Sequence, residues 1–430
     1  MTDRAQIVRA ANRGPLTHLP GPWYTKFTSL PISVHLLLGS GPRYVHRLHQ
    51  KYGPVVRIAP DEADICDISA KQTIYSTKET FVKAPFYHHI TAGNDVNVFA
   101  TQSIDKHRHF RRVLSGPMSE TSLKVVEPIV RSRIDLAVQR MTEAMKTHGF
   151  VDVSHWFFLM ATDIIGELSF GESFRTLEMG TKSQYIVDLK NSGEAGSWLA
   201  ICWPFLSFLS FTAKIGVPTP IPALNRAFGS NLRLNDYAEQ SLARYSRLIE
   251  DDPVNIKPTL FTKIFKAKEE DTLTFYEIFS NARVYLIAGS DTTAHTLAYL
   301  IWSVCKAPQI RDQLVAELTA RLPSDLDSIS EADLRELPYL NRVIEETLRL
   351  YGVVPSALPR IVPPRGAQLA GYWFPAGVTV SSQSYSLHRD PAIHPNPEVF
   401  DPDRWADGRV TKEMKDANMA WGGGSRGMYS

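Results

Sequence analysis

Four groups of side chains in this 430-residue chain have types and spacings that can do chemistry. The first is Ala288-Gly289-Ser290-Asp291-Thr292-Thr293, a small and polar run set between the apolar stretches Val284–Ile287 and Leu297–Val304. Glycine inside a helix costs about 1 kcal/mol relative to alanine, and a buried aspartate costs more unless it is paired. A small residue, an acid and a hydroxyl together make room for a ligand and can deliver protons to it. The same run also reads as a surface patch, or as hydroxyls bonding back to helix carbonyls. The second group is Glu346 and Arg349, which share a helix face at i and i+3. Taken alone they are an ordinary surface ion pair of little worth. With Arg404, from Pro397-Glu398-Val399-Phe400-Asp401-Pro402-Asp403-Arg404-Trp405, a glutamate held between two arginines can lock a helix to a distant loop.

The third group, His107-Arg108-His109-Phe110-Arg111-Arg112, reads either as a solvated basic face or as an anion site with Arg111 on a carboxylate or phosphate. The fourth is the stretch Trp421-Gly422-Gly423-Gly424-Ser425-Arg426-Gly427-Met428-Tyr429-Ser430. It is not a phosphate loop, because no Lys-Ser/Thr follows the glycines. His88-His89 is a weak metal candidate, since adjacent residues seldom converge on one ion.

These groups need elements to position them. Tyr44–Lys51 has a helical pattern. Val55–Pro60 and Ala63–Asp67 read as two short strands joined by a polar turn. Helical patterns dominate from about Ser69 to Glu250, as in Val125–Thr147 and Asp163–Phe170. Phe205–Pro222 is rich in Phe and Pro and reads as irregular. Thr272–Lys306 is the longest predicted helix, stopped by Pro308. Gln309–Arg321 follows, then a capping box at Ser330 and Asp333, then Tyr339–Leu350. After Pro355 the texture is short strands and turns, with Phe374–Val378 a turn between strands. The fold class is therefore mainly α with a minor β component, and no linker divides the chain.

A net charge of +2 gives no reason to expect nucleic acid as a partner. Cys66, Cys202 and Cys305 are spaced for neither a zinc site nor a disulfide framework and read as buried thiols. Residues 1–18 form a polar start without a signal peptide. Trp198–Ala213 is too short for a membrane span, and Val284–Cys305 carries Asp291 and His295 near its middle.

Read together, in order and in spacing, the motifs resemble the cytochrome P-450 family from Leu19 to Arg426. The match lies at Ala288, Gly289, Asp291, Thr292 and Thr293, at Glu346 and Arg349, at Arg404, and at Trp421, Gly424 and Arg426 of the haem loop. The resemblance implies one P-450 domain over 19–430 and haem b as cofactor. It implies Asp291 and Thr292 as the acid–alcohol pair that relays protons. Arg111 with His107, Arg360 and Arg426 would contact the haem propionates, and Glu346, Arg349 and Arg404 would stabilise the core. Residues around Phe81–Asn97 would cover the substrate, and Trp198–Phe211 would line part of the access channel. The implied partners are an NADPH-dependent flavoprotein reductase and an apolar small-molecule substrate, with the protein a monomer at the endoplasmic reticulum surface.

Leu19–Tyr24, Ser115–Ser119 and Ala161–Glu167 resemble filamentous-fungal members of secondary metabolism, which implies a terpenoid or polyketide-like substrate. Two features depart from the family. No membrane anchor precedes the Pro-rich hinge, and the segment beyond the haem loop is missing. The position of the cysteine ligand is Met428, a neutral thioether without the thiolate's electron push. Gly427-Met428-Tyr429 is also what an in-frame reading of a common fungal splice donor encodes. The expectation is an inactive, C-terminally incomplete product of a monooxygenase gene. The alternative is a decayed, non-catalytic relative that binds a small apolar ligand or has no function.

Overall fold

The computed structural model describes residues 14–78, 80–91, 96–116, 120–201, 222–251, 259, 260, 262, 273–323, 325 and 328–427. Its contacts group the chain into two compact units. One draws on residues up to Val82 and from Thr296 onward, the other on Lys83–His295. The long helix Phe275–Lys306 contributes to both, changing unit after His295. The mainly helical class with small sheets is as the sequence pattern requires.

The first unit carries the sheets. β1 (Val55–Ala59) pairs antiparallel with β2 (Glu62–Ile65), Val55 opposite Ile65. This second strand stops at Ile65, short of the expected Asp67, because Asp67 caps the next helix, Ile68–Ile74, by accepting from the Ala70 amide at 2.8 Å. β3 (Val82–Lys83) and β4 (Arg360–Ile361) are two-residue strands. β5 (Ala367–Leu369) and β6 (Tyr372–Phe374) form a separate hairpin. Its two loop residues, Ala370 and Gly371, have φ of 45° and 83°, the positive pair that matches strand twist. β7 (Thr379–Ser381) completes the main sheet, whose order is β1-β2-β7-β4-β3. The turn expected at Phe374–Val378 does join two strands, β6 and β7.

A buried arginine organises the start of this unit. Arg57 is 1% exposed and donates to the carbonyls of Leu16 and Leu19 at 2.9 and 3.0 Å and to Thr25 Oγ1 at 3.0 Å. The Pro-rich entry segment thus has its carbonyls satisfied by one side chain. The sheet covers a core that includes Val55, Ile65, Ile74, Phe374, Val380 and Leu387. A second cluster joins Val304, Leu314, Tyr339 and Val343, on the long helix and the helices Pro308–Arg321 and Pro338–Tyr351. The capping box at Ser330 and Asp333 is present and opens Glu331–Arg335.

The second unit is helical. Its core packs Phe110 and Leu114 of helix Ile104–Ser115 with Leu168, Ile278, Phe279 and Leu286. The long helix begins at Phe275, later than expected, where Thr274 and Glu277 exchange reciprocal cap bonds at 2.9 and 3.3 Å. Helix Val153–Phe170 starts at the Asp152 cap and ends at Gly171, φ 80°, a left-handed residue suited to glycine. The reading of Phe205–Pro222 as irregular falls outside the described residues but for Pro222, which opens helix Pro222–Asp251. Among the described residues no helix is long and apolar enough to cross a membrane. Cys202 also lies outside them. Cys66 is half-buried, but Cys305 is exposed; a buried thiol there is corrected, because its position on the long helix faces outward.

Candidate functional site

In the first unit the Glu346 carboxylate is fully buried and saturated. Arg349, on the same helix face, grips it bidentately, Nε to Oε2 and Nη2 to Oε1, both at 2.8 Å. Asp401 N–H donates to Oε1 at 3.0 Å, Trp405 Nε1 to Oε2 at 2.9 Å, and Arg404 Nε to Oε1 at 3.4 Å. Arg349 spends its remaining donors on the carbonyls of His388 and Pro397, at 2.7 and 2.8 Å, and Arg404 donates to the Pro395 carbonyl. The expected lock between helix and distant loop is present. The surface-pair reading is excluded, since Glu346 and Arg349 are 0% and 3% exposed.

The glycine loop belongs to the same unit. Gly422 and Gly424 have φ of 79° and 62°. A Cβ on Gly424 would stand 2.0 Å from the Tyr75 carbonyl oxygen, so no other residue fits there without displacing backbone. Arg426 closes the short turn Gly424–Arg426 and is half-buried. Arg360 is 3% exposed. It donates to the Pro359 carbonyl at 3.0 Å and lies over the Tyr75 ring, 5.1 Å from its centroid. Tyr75 itself hydrogen-bonds the Leu358 carbonyl at 2.8 Å and the Ser382 amide at 2.9 Å. One aromatic residue therefore touches the support of Arg360 and crowds the loop of Arg426. No motif marks Tyr75 in the sequence. The same holds for His388, whereas Trp405 was flagged only as the neighbour of Arg404. Met428 lies outside the described residues.

In the second unit Gly289 lets two helices approach. A Cβ there would meet Ile165 Cγ1 at 2.9 Å. Ser290 and Thr292 bond back to the carbonyls of Leu286 and Ala288, at 2.8 and 2.6 Å. The back-bonding alternative is thus the observed state of both hydroxyls. Asp291 is exposed, so the cost of burying it does not arise. His107 is 3% exposed and Arg111 half-buried, four residues on, while Arg108 and Arg112 are exposed. The basic run is therefore not one solvated face. His107 and Arg111 follow the buried Phe110 and Leu114 stripe, which packs in the same core as Leu286 of the long helix. Asp291, Thr292, His107 and Arg111 belong to this unit; Arg360, Arg426 and the Glu346 group belong to the other. Phe81, Asn97 and Trp198 are described, but 92–95 and most of the Trp198–Phe211 stretch are outside the described residues.

A family model for cytochrome P450 matches residues 26–427. The cytochrome P450 monooxygenase tazI of Aspergillus terreus is 47% identical over 96% of this chain and 82% of its own length. The cytochrome P450 monooxygenase orf2 of Aspergillus niger is 40% identical over 98% of this chain and 83% of its own. The cytochrome P450 monooxygenase stcB of Emericella nidulans is 34% identical, over 99% and 80%.

Proposed function

The chain belongs to the cytochrome P450 family, and from that premise we propose a haem-dependent monooxygenase of fungal secondary metabolism whose substrate is an apolar terpenoid or polyketide-like molecule. The observation that carries the reading is the Gly289–Thr292 turn of the long helix. Glycine permits the close helix approach, Asp291 is open to solvent, and the Thr292 hydroxyl sits one residue away. Together they make an acid that exchanges protons with water beside a hydroxyl that can pass them on.

The described residues fit most of what a haem needs. Its two carboxylates call for cations and hydrogen-bond donors; Arg111, Arg360 and Arg426 are of the first type and His107 can serve as the second. The Gly422–Gly424 loop carries no side chains of its own. When bound, the haem supplies the redox chemistry, and the protein supplies placement and protons. Asp291 would take a proton at its carboxylate from solvent. Thr292 would release its bond to Ala288 and pass that proton on through its hydroxyl. Glu346, Arg349 and Arg404 would keep the supporting core rigid. The residue expected to hold the iron does not fit, because Met428 would offer a thioether in place of a thiolate, and this chain is therefore proposed to be inactive.

Electrons would come from an NADPH-dependent flavoprotein reductase, with the enzyme a monomer at the endoplasmic reticulum surface. Met428 is also the one feature that favours a second reading, a non-catalytic relative that holds a small apolar ligand.

The test is the absorbance of the reduced, CO-treated chain with haem supplied. The expected result is no thiolate-type Soret band for the chain as written and such a band for Met428→Cys. A thiolate-type band with Met428 in place overturns the reading of that position. Haem bound by neither form removes the monooxygenase proposal and leaves the binding protein.

A further inference from the structure

The glycine loop is entered through Asp416–Ala420, and this entry is tied down at every step. Lys71 Nζ donates to the carbonyls of Asp416 and Asn418, at 2.8 and 3.1 Å. Asn418 Oδ1 accepts from the Ala420 amide at 2.9 Å. The Gly422 amide donates to the Met419 carbonyl at 3.0 Å. The Met419 amide goes to a side chain from elsewhere in the unit, Nε2 of His388, at 2.9 Å.

A backbone amide only donates, so His388 Nε2 must be the bare, accepting nitrogen. The ring proton therefore sits on Nδ1, which donates to the Arg349 carbonyl at 3.0 Å. Arg349 returns a bond from Nη1 to the His388 carbonyl at 2.7 Å. The two residues thus clasp one another, and the far side of the ring holds the loop entry. Both partners demand the same tautomer. The ring is 2% exposed, and burial pushes its pKa down to about 3, aided by His394, Arg349 and Arg389 nearby and opposed by the Arg349 carbonyl. A cationic ring would have to donate from Nε2, where an amide already donates.

We propose that His388, as the neutral Nδ1–H tautomer, is a positioning residue that couples the Arg349 turn to the entry of the glycine loop. The Glu346–Arg349 core then sets where Met419, and three residues later Gly422, leave the helical support. That the loop is a haem loop rests on the function proposed above; the coupling itself does not.

Ring-nitrogen NMR on the whole chain tests the tautomer. The expected signature is an acceptor-type Nε2 and a protonated Nδ1 on His388, unchanged from pH 8 to pH 5. An Nε2–H tautomer, or titration near the ordinary histidine value, overturns the proposal. Two variants then divide the joint. His388→Gln sets an amide oxygen where Nε2 was, keeping the bond from Met419. His388→Asn sets its amide where Nδ1 was, keeping only the bond to Arg349. Amide hydrogen exchange at Met419 should speed up about fivefold or more in His388→Asn, the weight of one buried hydrogen bond, and stay near the parent rate in His388→Gln. Equal acceleration in both reduces His388 to packing and overturns the joint. Haem titration of the same variants gives a separate arm: weaker uptake by His388→Asn alone ties the joint to the cofactor. Unequal exchange with equal haem uptake refutes the haem-loop half and leaves the coupling standing.

Discussion

Two desolvated arginines, one in each unit, are treated differently: Arg349 is buried and Arg283 half-buried. Arg349 meets a carboxylate that is itself saturated by Arg404, Trp405 and the Asp401 amide. Arg283, on the long helix, donates to Asn235 Oδ1 at 2.8 Å, to Ser192 Oγ at 3.1 Å and to Asn231 Oδ1. Among the described residues no carboxylate pairs with it, since Asp188 is held by Arg233 at 2.6 and 2.8 Å. Burial holds the Arg283 guanidinium below the ordinary arginine range. Neutral acceptors satisfy a guanidinium's hydrogens without cancelling its charge, so the desolvation cost stays. The Arg349 site is a closed network whose members depend on each other. The Arg283 site is a hub of replaceable contacts.

The largest test of that difference removes the charge at the centre of the closed network. Glu346→Gln should destabilise by about 3–5 kcal/mol, because two buried guanidiniums lose their counterion. Urea denaturation reads this directly, and a loss below about 1 kcal/mol would erase the distinction.

Acid should come next and should act on the Arg349 region. Burial, and then the charges of Arg349 and Arg404, hold His394 at about 3. His388 is held at about the same value, by burial first. Unfolded histidine titrates near 6.5, so both groups bind protons more readily in the unfolded chain. Their contribution is fully present above about pH 6.5 and is lost as pH falls toward 3. The limiting slope is about 1.4 kcal/mol per pH unit for each histidine. His394 has no hydrogen-bond partner on either ring nitrogen among the described residues. His394→Leu should therefore remove one proton's share of the slope in denaturation curves run from pH 7 to pH 4. An unchanged slope would mean that the ring is not neutral in the fold.

The smallest effect belongs to the hub. Arg283→Met should change stability by no more than about 1 kcal/mol, in either direction, because it relieves a desolvated charge while the half-buried Asn231 and Asn235 turn to water and the buried Ser192 keeps Asn231. A thermal scan showing a loss as large as that of Glu346→Gln would make the two sites equivalent after all.

Legibility followed the range of the interaction. Glu346 and Arg349 could be paired from sequence because a helix places i and i+3 side by side. Arg404 could be suggested as a second arginine for Glu346 and matched to the family pattern, but its contact, like those of Asp401 and Trp405, came only through the fold. His107 and Arg111 were legible as a pair but not as buried, since Arg108 and Arg112 beside them are exposed. Thr292 was legible as a hydroxyl near an acid, with its bond to Ala288 already among the alternatives.

By itself the sequence determined what depends on neighbours a few residues apart. That covers the helical periods, the capping box at Ser330, the turn between Phe374 and Thr379, and the identity of the motifs. Tertiary structure alone decided which distant groups share a bond. Tyr75 lies under Arg360 and against Gly424, and His388 joins Arg349 to Met419. The physical reason is that such bonds depend on how helix, sheet and loop are stacked. A tyrosine or histidine in a linear chain carries no local mark of the carbonyl or amide it will meet.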